Sequence, residues 1–131
     1  MPFKCVIVTP EQQVMDESIS QAIIPAHDGL LGIEVNRAPL LAKLGIGPLR
    51  VDLATSGSRY FLIEGGIAQM KDNLLTILTQ KCTPATEIDA QSASAELAEA
   101  TARRITDDKS FDARQDAIKR SMVKKELAGK Q

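Results

Sequence analysis

Residues 58–80 read SRYFLIEGGIAQMKDNLLTILTQ, and this stretch decides the fold class. Phe61 and Ile63, then Leu75, Ile77 and Thr79, recur at period two, the spacing of a strand with one buried face. Gly65-Gly66 lets the backbone bend or bulge where a side chain would clash. Asp72-Asn73 is turn chemistry between two apolar runs and marks a tight reversal. The stretch is an antiparallel meander of two or three short strands, and its apolar face requires a second layer to cover it.

The same grammar extends upstream. Residues 3–9, 14–17, 19–24, 30–35, 38–44 and 49–54 read as strands. They are parted by Pro10-Glu11, by His27-Asp28-Gly29, by Asn36-Arg37, by a break over residues 45–48 and by a hairpin turn over residues 55–58. Turns every eight to twelve residues between short alternating strands indicate an all-β sandwich or barrel. Downstream the pattern changes. Residues 83–86, Thr-Pro-Ala-Thr, read as a linker, and no Gly or Pro follows before Gly129. Residues 87–105 are Ala-rich and helix-favouring, with Glu87 and Asp89 at the end that welcomes negative charge. Ala93, Leu97, Ala100 and Ile105 give a thin apolar stripe at helical spacing. After a polar break at residues 107–110, Ser110 or Asp112 caps a second helix reaching about Leu127. Its apolar positions, Phe111, Ile118 and Met122, are sparse. The expected class is therefore α+β. An N-terminal antiparallel β-sandwich over residues 1–84 precedes a C-terminal α-helical hairpin over residues 85–131, which packs weakly enough to act as a mobile arm.

Composition narrows the function. A chain of 131 residues holds one domain, or a small domain with an appendage, and 44% hydrophobic residues suffice for a core. Aromatic residues are 3%, and Phe3, Tyr60, Phe61 and Phe111 are too scattered to form a stacking platform for single-stranded nucleic acid. The formal net charge of -1 argues against a general polyanion binder. No apolar run approaches the roughly 20 residues of a membrane span, and the first residues lack a charged-then-apolar signal pattern. A soluble, cytosolic protein is expected, one that reaches a membrane only through partners. Cys5 and Cys82 have no CxxC spacing and no His cluster beside them, so they read as two reduced thiols rather than a zinc or redox site.

Catalytic patterns are missing. The sequence has no GxxxxGK[ST], no GxGxxG after a strand, no HExxH and no GxSxG. His27 is the single histidine, which excludes a His-based triad or a multi-His metal site, and its turn-like setting reads as surface. Asp107-Asp108 are adjacent and would diverge on a helix, so they read as a solvated break rather than a carboxylate pair. Beyond residue 110, six bases (Arg114, Lys119, Arg120, Lys124, Lys125, Lys130) face three acids (Asp112, Asp116, Glu126). This basic helix reads either as a solvated face or as a dock for an acidic protein surface, and nucleic acid is disfavoured by the acidic remainder.

Three blocks in order carry a resemblance: TPEQQVMDESISQAIIPAHDGLLGI, RAPLLAKLGIGPLRV and FLIEGGIAQMKDNLLTILTQ. They resemble the epsilon subunit of F-type ATP synthases, whose pattern has a GxLGI turn, a GHAPLL segment, a G-x-[IVL]-R-[IVL] strand and a GG turn. Gly29, Leu31, Gly32 and Ile33 match the first, and Ala38, Pro39, Leu40 and Leu41 the second. Gly47, Leu49, Arg50 and Val51 match the third, and Gly65 and Gly66 the last. The resemblance implies a sandwich of about ten strands with a C-terminal helical hairpin, and a non-catalytic rotor subunit in the central stalk. It implies the gamma subunit and the c-subunit ring as partners, with rotation coupled to catalysis in the alpha-beta hexamer. It also implies a peripheral position on the cytoplasmic face of the bacterial inner membrane, and a hairpin that can swing out to restrain ATP hydrolysis.

Site roles follow from the resemblance residue by residue. Asp28, Gly29, Leu30 and Leu31 match the loop facing the c ring, with Leu30 where an acid is frequent. Asn36, Arg37, Ala38 and Pro39 match the segment near gamma, with Asn36-Arg37 in place of the usual Gly-His. Lys119, Arg120, Lys124 and Lys125 stand on the basic helix that meets the beta subunit. Some relatives bind ATP through an [IL]DxxRA motif and arginines of the second helix. Here Ile88, Asp89, Ala93 and Arg120 match but Ser92 replaces the Arg, so weak or absent ATP binding is expected and no resident cofactor. Two other classes compete: a ligand-binding sandwich, which would need an aromatic-lined pocket, and a nucleic-acid module using the basic helix.

Overall fold

The computed structural model describes residues 2–128, so Gly129 and Lys130 lie outside the described residues. Seven strands come first: β1 (Phe3–Val8), β2 (Gln13–Ala26), β3 (Gly29–Glu34), β4 (Leu40–Leu53), β5 (Ser58–Lys71), β6 (Leu74–Leu78) and β7 (Cys82–Pro84). A 3-10 turn (Ala85–Glu87) leads into helices α1 (Ala90–Ala102) and α2 (Asp108–Ala128). The sheet order is β1-β6-β5-β4-β2-β3, and β1 also pairs with β2, so the sheet closes on itself as a flattened barrel of two layers. The layers share one core, which includes Ile7, Ile19, Leu49, Ile63 and Ile77, all fully buried. Every pairing is antiparallel except β1 with β6.

The resemblance implies about ten strands and the alternation reads eight or nine, where the structure has seven, and the cause is physical. β2, β4 and β5 are each 14 residues long and change their buried face part-way. In β2, Met15 and Ile19 point inward, then Ala22 and Ile24, with a register shift between Ile19 and Gln21. In β4, Leu44 points inward and then Leu49 and Val51, while β5 passes from Phe61 and Ile63 to Ala68 and Met70. A strand that slips phase keeps its ladder but breaks the period-two pattern, so each half reads as a separate strand. Residues 45–48 are therefore not a break: Ile46 pairs with Glu64 and Gly47 with Ile63, and the ladder runs on.

Two glycines make the phase change possible. Gly65 and Gly66 have φ of 80° and 118°, and a Cβ on Gly66 would lie 2.1 Å from the Leu78 carbonyl oxygen. The buried Thr79 hydroxyl donates to the Gly65 carbonyl at 2.6 Å and pins the end of β6 to this bend. Asp72 and Asn73, with φ of 51° and 58°, form the two-residue reversal between β5 and β6.

Residues 83–86 are not a free linker. Cys82, Thr83 and Pro84 pair with Ile63, Leu62 and Phe61, and Ala85 is buried. Helix α1 begins at Ala90, capped by Asp89, whose carboxylate accepts from the Ser92 backbone N–H at 3.1 Å. Helix α2 is capped by Asp107 rather than by Ser110 or Asp112. The Asp107 carboxylate accepts from the Ser110 N–H at 2.7 Å, and the Ser110 hydroxyl accepts from the Asp107 N–H at 3.0 Å, a reciprocal capping box. The buried stripe of α2 also differs from expectation. Ala117, Ser121, Val123 and Leu127 are buried, whereas Phe111 and Met122 are exposed, because α2 sets Val123 and Leu127 against the sandwich. On α1, Ala93 and Ala100 are buried but Ile105 lies past the helix end and is exposed.

Candidate interaction surfaces

The first surface is the tip between β2 and β3. Asp28 and Gly29 are exposed, Gly29 has a φ of 140°, and Leu30 is 64% exposed. Leu31 instead packs against the core, so three of the four expected loop residues reach solvent. His27 sits exposed beside them, its backbone N–H donating to the Lys43 carbonyl at 2.9 Å.

The second surface begins at the loop from Asn36 to Pro39, where all four side chains are exposed. Asn36 has a φ of 62°, a conformation that Asn tolerates better than most residues. Its backbone N–H donates to Asn73 Oδ1 at 2.7 Å. Among the described residues no carboxylate lies in ion-pair range of Arg37. Next to this loop, the outer face of β4, β5 and β6 carries Leu41, Ile67, Leu74 and Leu78, which are 71%, 45%, 41% and 52% exposed. The register sets Lys43 opposite Ile67, Ile67 opposite Leu78 and Lys71 opposite Leu74. Four large apolar side chains interleaved with two exposed lysines make a sheet face suited to a protein partner, with Asp72 at its edge in the β5–β6 turn.

The third surface is the hairpin. Helix α2 packs over β4 and β5, with Val123 and Leu127 set among Leu62, Ala85 and Ile88. Between the helices and the sheet lies a polar cleft of about 410 Å³. It holds Glu64, Lys81, Glu96, Glu99, Arg103, Arg120 and Lys124. Its charges are already matched within the chain. Arg120 donates to Glu64, Lys124 Nζ lies 3.0 Å from Glu96 and Arg103 Nε lies 2.9 Å from Glu99. Lys81 approaches Glu64 only to 3.9 Å and is 65% exposed. Hydrogen bonds from Arg103 hold the Glu99 carboxyl below its ordinary range, and Ser92 does the same for Asp89.

Of the basic residues expected to face a partner, only Lys119 and Lys125 are on the outer surface, whereas Arg120 and Lys124 turn into the cleft. Of the four residues matched to a nucleotide motif, only Arg120 lines the cleft. Ile88 and Ala93 are buried, and Asp89 is committed to capping. Glu64 is the residue the sequence reading missed. The one available signal was an acid set inside the apolar run FLIEGG, where a charge needs a partner. Among the described residues no group of His, Cys, Asp or Glu is arranged to hold a metal ion.

The family described as ATP synthase, Delta/Epsilon chain, beta-sandwich domain matches residues 2–85. An ATP synthase epsilon chain from Rippkaea orientalis is 31% identical over 134 residues, covering 98% of each chain. The chain belongs to the ATP synthase delta/epsilon family. An epsilon chain from Rhodopirellula baltica is 38% identical, covering 76% of this chain and 77% of that one. Among solved structures, a chain of the Euglena gracilis mitochondrial ATP synthase, OSCP/F1/c-ring in rotational state 1, superposes with a TM-score of 0.86. It is 20% identical, covers 99% of this chain and 82% of that one, and speaks for the fold alone. The family match ends where the 3-10 turn begins, while the Rippkaea orientalis relative extends through both helices.

Proposed function

We propose that this delta/epsilon-family chain is a non-catalytic rotor subunit in the central stalk of an F-type ATP synthase. It couples ion-driven rotation of the c-subunit ring to ATP synthesis and restrains ATP hydrolysis through its C-terminal helices. The reading is carried by the end-to-end likeness to a chain named ATP synthase epsilon chain, sandwich and hairpin together. The exposed face of Leu41, Ile67, Leu74 and Leu78, adjoining residues 36–39, suits a permanent partner, which on this reading is the gamma subunit. The tip of Asp28, Gly29 and Leu30 meets the c ring, with Leu31 holding it to the core. Lys119 and Lys125 are available to an acidic surface of the beta subunit while the hairpin is docked; Arg120 joins them when it undocks, and Lys124 only when α1 and α2 also part.

No helix among the described residues is long and apolar enough to cross a membrane. Attachment at the cytoplasmic face of a bacterial membrane then runs through the complex. ATP binding to the hairpin is weak or absent on this reading, because the cleft's arginines and Lys124 are already engaged by this chain's own carboxylates.

The test is ATP hydrolysis by the assembled soluble complex, with the full chain and with a chain ending at Pro84. A several-fold rise on truncation, with gamma binding retained, supports a restraining arm on an anchoring sandwich. Unchanged hydrolysis removes the restraint and leaves the coupling role. Failure of the full chain to bind gamma overturns the whole reading.

A further inference from the structure

Glu64 and Arg120 are the one ion pair that joins the hairpin to the sandwich among the described residues. Every other pair of the cleft lies within the hairpin or, for Lys81, within the sandwich. The Glu64 side chain is 12% exposed and that of Arg120 34% exposed, so the pair is largely withdrawn from water under α2. Glu64 Oε2 is buried without a hydrogen-bond partner, and Lys81 stands 3.9 Å from it. A carboxylate in that position is tolerated only while a guanidinium faces it.

The apolar part of the contact is modest: Val123, Leu127 and the half-buried Ala128 of α2 against Leu62, Ala85 and Ile88, with Ile46 and Tyr60 at its margin. It favours docking, but apolar contact is non-directional and selects a position of α2 less sharply than a charge pair does. A single desolvated pair adds what the apolar contact lacks, since it is favourable in one position of α2 and strongly unfavourable in any position that covers Glu64 without Arg120.

We propose that Glu64 and Arg120 form the latch that selects the docked hairpin. Glu64 is the fixed half, held on β5 directly before the Gly65-Gly66 bend. Arg120 is the moving half, carried on the buried side of α2 between Ala117 and Ser121. Release needs no rearrangement of the sandwich: undocking returns Glu64 to water, with Lys81 beside it. The latch belongs to the chain by itself and stands whether or not the chain serves as a rotor subunit.

Hydrogen–deuterium exchange of the full chain tests it. In Glu64→Gln, backbone amides of residues 117–128 exchange about tenfold faster or more, while peptides from β1 to β6 keep their protection. Arg120→Gln gives the same result from the other side. Lys119→Gln, which removes a charge of the same helix outside the pair, leaves exchange within about twofold. The double variant Glu64→Arg with Arg120→Glu restores protection toward that of the unaltered chain. Unchanged exchange in Arg120→Gln overturns the proposal, as does an equal effect from Lys119→Gln. If Glu64→Gln also loosens β1 to β6, Arg120→Gln, which lies off the sandwich, decides alone.

Discussion

Asn36 and Asn73, 37 positions apart, hold each other through two hydrogen bonds. The Asn36 N–H donates to Asn73 Oδ1 at 2.7 Å, and Asn73 Nδ2 donates to Asn36 Oδ1 at 3.1 Å. Both residues have positive φ, and together they tie the β3–β4 loop to the β5–β6 turn. The loop beside the bare sheet face is thus tied down by the Asn73 side chain, which binds both the backbone and the side chain of Asn36. Asn73→Gly keeps the backbone conformation and removes both bonds. It is expected to destabilise the chain by about 1 kcal/mol, read by urea denaturation.

Gly66 has no room for a side chain. A Cβ there would lie 2.1 Å from a backbone oxygen and 2.7 Å from Thr79 Cα, at a φ of 118°. Gly66→Ala is expected to cost more than about 3 kcal/mol and to lower the folded yield. Gly57→Ala meets no atom within 4 Å, and its positive φ of 84° alone costs about 1 kcal/mol. Parallel thermal melts of the two variants measure the difference.

Leu127 is 1% exposed and sits between the hairpin and the sandwich, whereas Met122 is 57% exposed. Leu127→Ala is expected to weaken the docked hairpin by about 2–4 kcal/mol and Met122→Ala by less than about 0.5 kcal/mol. Exchange rates of α2 amides distinguish them, and equal effects would show that α2 does not rest on this side.

Acid is expected to loosen α1 before the core. Ser92 holds the Asp89 carboxyl below its ordinary range, and Arg103 does so for Glu99. A lowered folded pKa contributes stability above the ordinary carboxylate value, and that contribution fades as the pH falls through the lowered one. Asp89→Asn should flatten this part of the acid transition, followed by circular dichroism at 222 nm.

The thiols give the opposite limb. Burial pushes Cys5 up to about 12, with Asp16 and then Cys82 adding to it, and burial does the same to Cys82, also to about 12. Because the folded values exceed the unfolded ones, stability present at neutral pH declines as the pH rises from about 9 toward about 12. At pH 8 both thiols should label with a disulfide reagent at least about 100-fold more slowly than in denaturant.

The sequence by itself determined the chemistry of each local piece. Alternation set the strands, Asp72-Asn73 the reversal, and the loss of Gly and Pro after Pro84 the change to helices. These signals depend on neighbours a few positions apart, and the ordered blocks around Gly29, Pro39 and Gly65 were enough to point to the family. The tertiary structure decided which of those pieces were one strand. β2, β4 and β5 change face part-way, with register shifts between β2 and β4 and the Gly65-Gly66 bend in β5, and such a change of phase looks like an ending to any rule that counts alternation. It also decided the face of α2: Phe111 and Met122 are large and apolar by type, yet Val123 and Leu127 are the residues set against the sandwich. Glu64 and Arg120 are separated by 56 positions, and only the docking of α2 on β5 brings one charge to the other. Contacts that close over such distances depend on the arrangement of whole elements, which no local pattern encodes.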